Sequence, residues 1–232
     1  MASEKLVLYT DPFSPVCRTV MLLLEAEGIP YEQRVLDLQK GEQLTDSPVA
    51  QQLAKANPNR LMPTLDDGGF CLFESAAIVK YLCNKYELAD HWYPTDIKKR
   101  ALVDQYLSWN TGNIRCNAFY LKCVQPLRTG VVNERRLAEQ TVVLKKSLQM
   151  IDSHFLKDQK FITGEEITIA DLMCLCQITQ YWISDFNLED HGANVKCWVE
   201  DCRKVLNPHF DKVHQVVYDC RKAGTFKTTY DI

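Results

Sequence analysis

The residues best placed to do chemistry are Ser14 and Cys17, which stand as Ser-x-x-Cys in Ser14-Pro15-Val16-Cys17-Arg18, directly after the apolar run Leu6-Val7-Leu8-Tyr9. The pattern reads as a buried strand, a bend and a helix start. The first N–H groups of a helix have no intrahelical acceptor, and the helix dipole places positive potential there, so an anion beside Ser14 is stabilised. A redox motif at this junction carries Cys at both ends of the spacing. Here a hydroxyl holds the first position, and a hydroxyl donates a hydrogen bond but is not a redox centre. The chemistry that fits is the holding of a sulfur anion supplied from outside the chain. An ordinary N-cap is the competing reading of Ser14, because Ser before Pro at a first helical position caps readily. Cys17, one turn into an apolar helix, is expected to pack inward as a small hydrophobe and to be structural.

A second anion-holding position is Glu74-Ser75 at a predicted helix start, where the Ser75 hydroxyl and N–H can meet a carboxylate. Composition narrows the partners. The 232 residues are 46% apolar and 25% charged with a net charge of -3, so no basic excess draws the chain to nucleic acid or to an anionic membrane. No apolar run approaches the length of a membrane span and no export segment is visible, and the ten cysteines are diluted through a chain large enough to build a core without staples. A reducing, cytoplasmic setting is expected. The five histidines are scattered and no Cys/His cluster has zinc-ligand spacing, so no metal is expected.

The elements that position these residues follow from periodicity. Leu6–Tyr9 is a strand, Val16 to Glu27 a helix ending at Gly28, and Tyr31–Leu36 a second strand reached by a parallel crossover. A short helix lies within Thr45–Ala56. Asp66-Asp67-Gly68-Gly69 joins Thr64-Leu65 to Phe70–Phe73 as a hairpin, and Ser75 caps a helix to Lys85. The order βαβαββα predicts an α/β domain with a mixed four-stranded sheet over residues 1–86. A linker over 87–95 carries His91-Trp92-Tyr93-Pro94, and an all-α domain follows over 96–232. In that domain Asp96 to about Val124 reads as one long helix. Leu137, Leu144, Leu148, Ile151 and Phe155 share a stripe. Thr168-Ile169-Ala170-Asp171 is a capping box with Asp for Glu, flanked by Ile167 and Leu172 as a hydrophobic staple, and opens a buried central helix.

With Met62-Pro63 before the third strand, this order resembles the cytosolic glutathione transferases, which implies that the first domain is thioredoxin-like. Leu8-Tyr9, Ser14, Cys17-Arg18, Val35-Leu36-Asp37-Leu38, Lys40-Gly41, Asn57-Pro58, Glu74-Ser75, Tyr81-Leu82, Trp92-Tyr93-Pro94 and Val103-Asp104-Gln105-Tyr106-Leu107-Ser108-Trp109 follow the theta-class pattern in sequence. The resemblance implies a homodimer that conjugates glutathione, as co-substrate, to small hydrophobic electrophiles, with peroxidase turnover as a further activity. It implies that Ser14 holds the glutathione thiolate, that Met62-Pro63 is cis and presents the Met62 backbone to the tripeptide, and that Glu74-Ser75 receives the γ-glutamyl end. Gln43 and Leu61 stand where the class often has His and Lys near the glycyl end, which leaves Arg60 as the substitute. Arg115, on the first long helix, aligns with an arginine aimed at the sulfur. Phe13, Arg115 and Phe119 are implied for an electrophile pocket between the domains. Extra residues around Asp46 to Lys55, and Gly224 to Ile232 in place of a further helix, imply a more open pocket. Two other functions remain from the same residues: a non-catalytic binding or scaffold protein on this fold, favoured by Gln43, Leu61 and the tail, and a thiol oxidoreductase working through Cys17 or another cysteine.

Overall fold

The structure, a computed structural model, describes residues 5–115, 118–125, 129–184, 187–224 and 226. The chain forms two compact units, Met1–Ala89 and Asp90–Ile232.

In the first unit the elements are β1 (Leu6–Thr10), α1 (Pro15–Ala26), β2 (Tyr31–Val35), a 3₁₀ turn (Glu42–Leu44), α2 (Pro48–Ala56), β3 (Thr64–Asp67), β4 (Phe70–Phe73) and α3 (Ser75–Lys85). The sheet order is β2-β1-β3-β4, with β1 and β2 parallel and the other pairs antiparallel. Every residue of β1 is buried, as a central strand covered on both faces requires. Between β3 and β4 lie Gly68 and Gly69, both at positive φ (60° and 94°), which is why this two-residue hairpin needs two glycines. Gly28 at φ 62° ends α1, as expected, and the Ile29 N–H closes back on the Leu24 carbonyl at 2.9 Å.

The second unit is helical: α4 (Ile97–Gly112), a π-helical turn (Tyr120–Val124), α5 (Glu134–Met150) running into a second π turn (Ile151–Phe155), α6 (Ile169–Ile178), 3₁₀ turns at Thr179–Ser184 and Leu188–His191, α7 (Ala193–Leu206) and α8 (His209–Ala223). The single helix expected from Asp96 to Val124 is two pieces. Asp96 caps α4, its Oδ1 accepting the Lys98 and Lys99 N–H groups at 2.9 Å, but α4 stops at Gly112 and Asn113 turns away at φ -122°, ψ -94°. Gly112, Asn113 and two β-branched neighbours, Thr111 and Ile114, carry too little helical preference to hold the run together. The stripe from Leu137 to Phe155 is buried throughout. All ten residues of α6 are buried, and its capping box is formed. Asp171 does more than cap: its two oxygens accept from the N–H of Ile162, the Trp198 indole, and the N–H and hydroxyl of Thr168. The start of the unit is sewn to this helix, with the Ile169 N–H on the Trp92 carbonyl at 3.0 Å and the His91 ring against the Ile167 carbonyl at 2.6 Å. No helix among the described residues is long and apolar enough to cross a membrane.

Candidate active site

Strand register brings the first unit's candidate residues to one end of the sheet. Tyr9 pairs with Thr64, and Thr64 with Phe73. The loop after β1, which holds Phe13 and Ser14, therefore lies beside Met62-Pro63 before β3 and Glu74-Ser75 after β4. Parallel pairing of Thr10 with Val35 sends the segment after β2, with Gln43, to the same end.

Ser14 occupies the N-cap position of α1 at φ -78°, ψ 125°, half-buried, yet its hydroxyl makes no capping bond. Its carbonyl instead opens the helix, accepting from Cys17 and Arg18 at 3.1 and 3.0 Å. The plain cap reading of Ser14 is thus not what the hydroxyl does. The loop around it is held from three sides. Asp11 accepts from the Phe13 N–H at 2.9 Å and from the Leu38 N–H at 3.1 Å, and its backbone carbonyl accepts the Ser14 N–H at 2.9 Å. Arg18, fully buried, donates from Nη1 to the carbonyls of Pro12 and Phe13 at 2.9 Å each. Burial raises the Asp11 carboxyl above its ordinary range against the pull of the Phe13 and Leu38 N–H groups. Neither residue carries a motif that marks it as a framing group. The signal was there: an arginine amid Val16, Cys17, Thr19, Val20 and Met21, all of them buried, has to find acceptors.

Cys17 is fully buried in the core with Val7, Tyr9, Leu36, Ala50, Leu53 and Met62. Its sulfur faces the Asp11 N–H at 3.5 Å and interacts with the hydroxyls of Thr10 and Ser14. Burial outweighs these donors and pushes the thiol up, so Cys17 stays protonated at neutral pH.

Met62-Pro63 is a cis peptide, and the Met62 N–H and C=O take part in no hydrogen bond among the described residues. The preceding carbonyl, of Leu61, is turned inward to Asn57 Nδ2 at 3.1 Å and Thr64 Oγ1 at 2.7 Å. Arg60, at φ 53°, reaches across to the carbonyls of Gln43 and Thr45 at 3.4 and 3.5 Å, while the Leu61 side chain is 57% exposed. Gln43 Oε1 is buried and unpartnered among the described residues. At the third position the expectation needs correction: the cap of α3 is Glu74, not Ser75, which is the first helical residue and buried. Glu74 sits at φ 72°, ψ 112°, a backbone state that costs a non-glycine residue about 1–3 kcal/mol. The Glu74 side chain makes no capping bond to the start of α3.

In the second unit, Phe119 is buried with its ring edge-on to Tyr181 at 5.4 Å and tilted against Phe226 at 6.4 Å. Arg115 is not on a helix as expected. It lies exposed in the turn after α4, its N–H on the Asn110 carbonyl at 3.1 Å. Of the tail, residues 225 and 227–232 lie outside the described residues.

A sheet of this order, with a hydroxyl at one helix start, a cis-proline beside it and a second open helix start, joined to an all-helical unit, is the arrangement of a known enzyme family. Residues 8–90 match the family model "Glutathione S-transferase, N-terminal domain" and residues 117–204 match "Glutathione S-transferase, C-terminal domain". The chain belongs to the glutathione S-transferase family. Among its relatives, it is 36% identical to mouse glutathione S-transferase theta-3 and 38% identical to human glutathione S-transferase theta-1, in each case over 217 residues covering 91% of this chain and 88% of that protein. It also superposes on human theta-2 solved with glutathione at a TM-score of 0.86, with 30% identity and coverage of 97% of this chain and 92% of that one.

Proposed function

We propose that this protein conjugates the thiolate of glutathione to small hydrophobic electrophiles, with Ser14 donating its hydroxyl proton in a hydrogen bond to the sulfur. The observation that carries the reading is the convergence of Ser14, Met62-Pro63 and Glu74-Ser75 at one sheet end, with the Ser14 hydroxyl uncommitted to capping. A free thiol of pKa about 8.5 is only about 3% ionised at pH 7, and lowering it by about two units takes about 2.7 kcal/mol of stabilisation of the anion. One directed O–H together with the start of α1 is the right order for that. The sulfur then attacks the electrophilic carbon, the leaving group departs with the bonding pair, and a thioether is released.

The Met62 main chain pairs with the tripeptide as a short extended segment. The N–H groups at the start of α3 and the Ser75 hydroxyl take the γ-glutamyl carboxylate, and Gln43 with Arg60 frames the glycyl end beside the exposed Leu61. Phe13, Phe119 and Arg115 are assigned to the electrophile, Arg115 also to the sulfur or to a departing anion. The nine described cysteines are free thiols, which suits the cytosol. A homodimer is supported by Phe70 and Phe73, 52% and 40% exposed on the edge strand β4.

The test is steady-state conjugation across haloalkane, epoxide and aryl-halide substrates, with an organic hydroperoxide for peroxidase turnover. Ser14→Ala is expected to lower kcat/KM by about 10²–10³-fold and to move its pH profile to the alkaline side. Full activity in that variant overturns the assignment, and tight glutathione binding without turnover on any substrate returns the molecule to a binding role.

A further inference from the structure

The second unit contains a cavity of about 450 Å³ that none of the chemistry above uses, set among the two 3₁₀ turns, α7 and α8. Its floor is Trp182, 5% exposed, and Glu189, 8% exposed, with the indole Nε1 donating to Glu189 Oε1 at 2.8 Å. The other carboxylate oxygen, Oε2, is buried and has no partner among the described residues, and the same holds for Asn187 Oδ1 and for Arg203 Nε. On the wall the Arg203 guanidinium lies 5.7 Å from the Trp182 ring centre, with Nη2 3.5 Å from Asp211 Oδ1. That same oxygen accepts the Tyr218 hydroxyl at 2.7 Å, and the Tyr218 ring stacks on Trp182 at 6.3 Å and 16°. Arg221 completes the lining.

A buried oxygen left without a donor is destabilising, the more so when it is charged. A carboxylate kept only for folding has both oxygens occupied, as Asp171 does in the same unit. The unpartnered set is two acceptors, Glu189 Oε2 and Asn187 Oδ1, and one donor, Arg203 Nε. The lining pairs two acids, Glu189 and Asp211, with two guanidiniums, Arg203 and Arg221, so its formal charge cancels. The complementary ligand offers N–H donors at one end and an anionic acceptor at the other, carries no net charge, and has a body able to lie along an aromatic wall.

We propose that this cavity binds a free α-amino acid as its zwitterion, the ammonium on Glu189 Oε2 and Asn187 Oδ1, the carboxylate on Arg203, and the side chain along Trp182. Burial holds the Glu189 carboxyl above its ordinary range despite the Trp182 donor, and an ammonium on the open oxygen favours its ionised form.

The experiment is calorimetric titration of the full chain, held in saturating S-methylglutathione, with L-alanine, L-glutamine, L-leucine and L-phenylalanine. Any binder is then repeated as its N-acetyl and carboxamide derivatives. At least one free amino acid is expected to bind, and both blocked forms are expected to bind about tenfold or more weakly. Glu189→Gln, which keeps an acceptor for the Trp182 indole, and Arg203→Lys, which removes Nε, are expected to show the same loss with unchanged thermal midpoints. Absence of binding by all four at millimolar concentration overturns the proposal and leaves the cavity to water. So does equal binding by the blocked forms, or full affinity in Glu189→Gln.

Discussion

In the proposed mechanism Ser14 takes the place that a reactive cysteine holds in a thiol enzyme, while Cys17 packs in the core behind it. The half-buried start of α1 holds a hydroxyl, and the sulfur one turn further in is buried and protonated. Cys17→Ala is therefore expected to cost about 1–2 kcal/mol of stability through lost packing, with kcat/KM for conjugation within about threefold of wild type. A variant that loses turnover while remaining folded would restore the oxidoreductase reading. Glu74 poses the opposite case, a residue whose backbone is strained where its side chain is exposed. Glycine tolerates φ 72° without penalty. Glu74→Gly is expected to gain about 1 kcal/mol in denaturant unfolding while raising KM for glutathione, because it relieves the backbone and removes the side chain from the γ-glutamyl position. Loss of stability in that variant would mean that the carboxylate itself holds the start of α3.

At the scale of elements, β3 is fastened to α3 by Asp67, which accepts the Tyr81 hydroxyl at 2.5 Å and pairs with the Lys85 ammonium. Burial pushes the Asp67 carboxyl up, but the Lys85 and Tyr81 donors outweigh it and hold the group below its ordinary value. Because the folded value lies below the unfolded one, this pair contributes stability above about pH 4, which is lost as the pH falls through the folded value. Lys85→Met is expected to raise the Asp67 midpoint in a carboxyl-carbon NMR titration and to flatten the acid limb of the stability curve. An unmoved midpoint would assign the effect to Tyr81 alone.

Much of the element order was legible because it rests on local chemistry: Gly28 as a stop, Gly68-Gly69 as a hairpin, and Thr168 with Asp171 as a capping box. What escaped depends on geometry that residue types do not encode. Ser75 carries a hydroxyl and so reads as a cap, but a left-handed Glu74 takes that position. The helix through Trp109 keeps a plausible period past Gly112, yet the backbone turns at Asn113 and carries Arg115 off the helix. Asp11 and Arg18 act on carbonyls and N–H groups brought near by the fold, so no spacing rule announces them.

For the whole molecule, the exposed Phe70 and Phe73 on an edge strand are a liability for a lone chain. If the proposed homodimer forms through this edge, Phe70→Glu with Phe73→Glu is expected to convert it to a monomer in sedimentation at micromolar concentration, and an unchanged sedimentation coefficient would overturn that assignment. The sealed position of Cys17 bears on how long the protein lasts. An enzyme that attacks with its own thiolate is oxidised at that atom, stepwise and in the end irreversibly, when peroxide reaches it. In the proposed mechanism the group beside the reacting sulfur is an alcohol, Cys17 is buried and protonated, and the sulfur that meets the oxidant arrives with each glutathione and leaves with each product. At the proposed site, wear falls on a replaceable small molecule rather than on the chain.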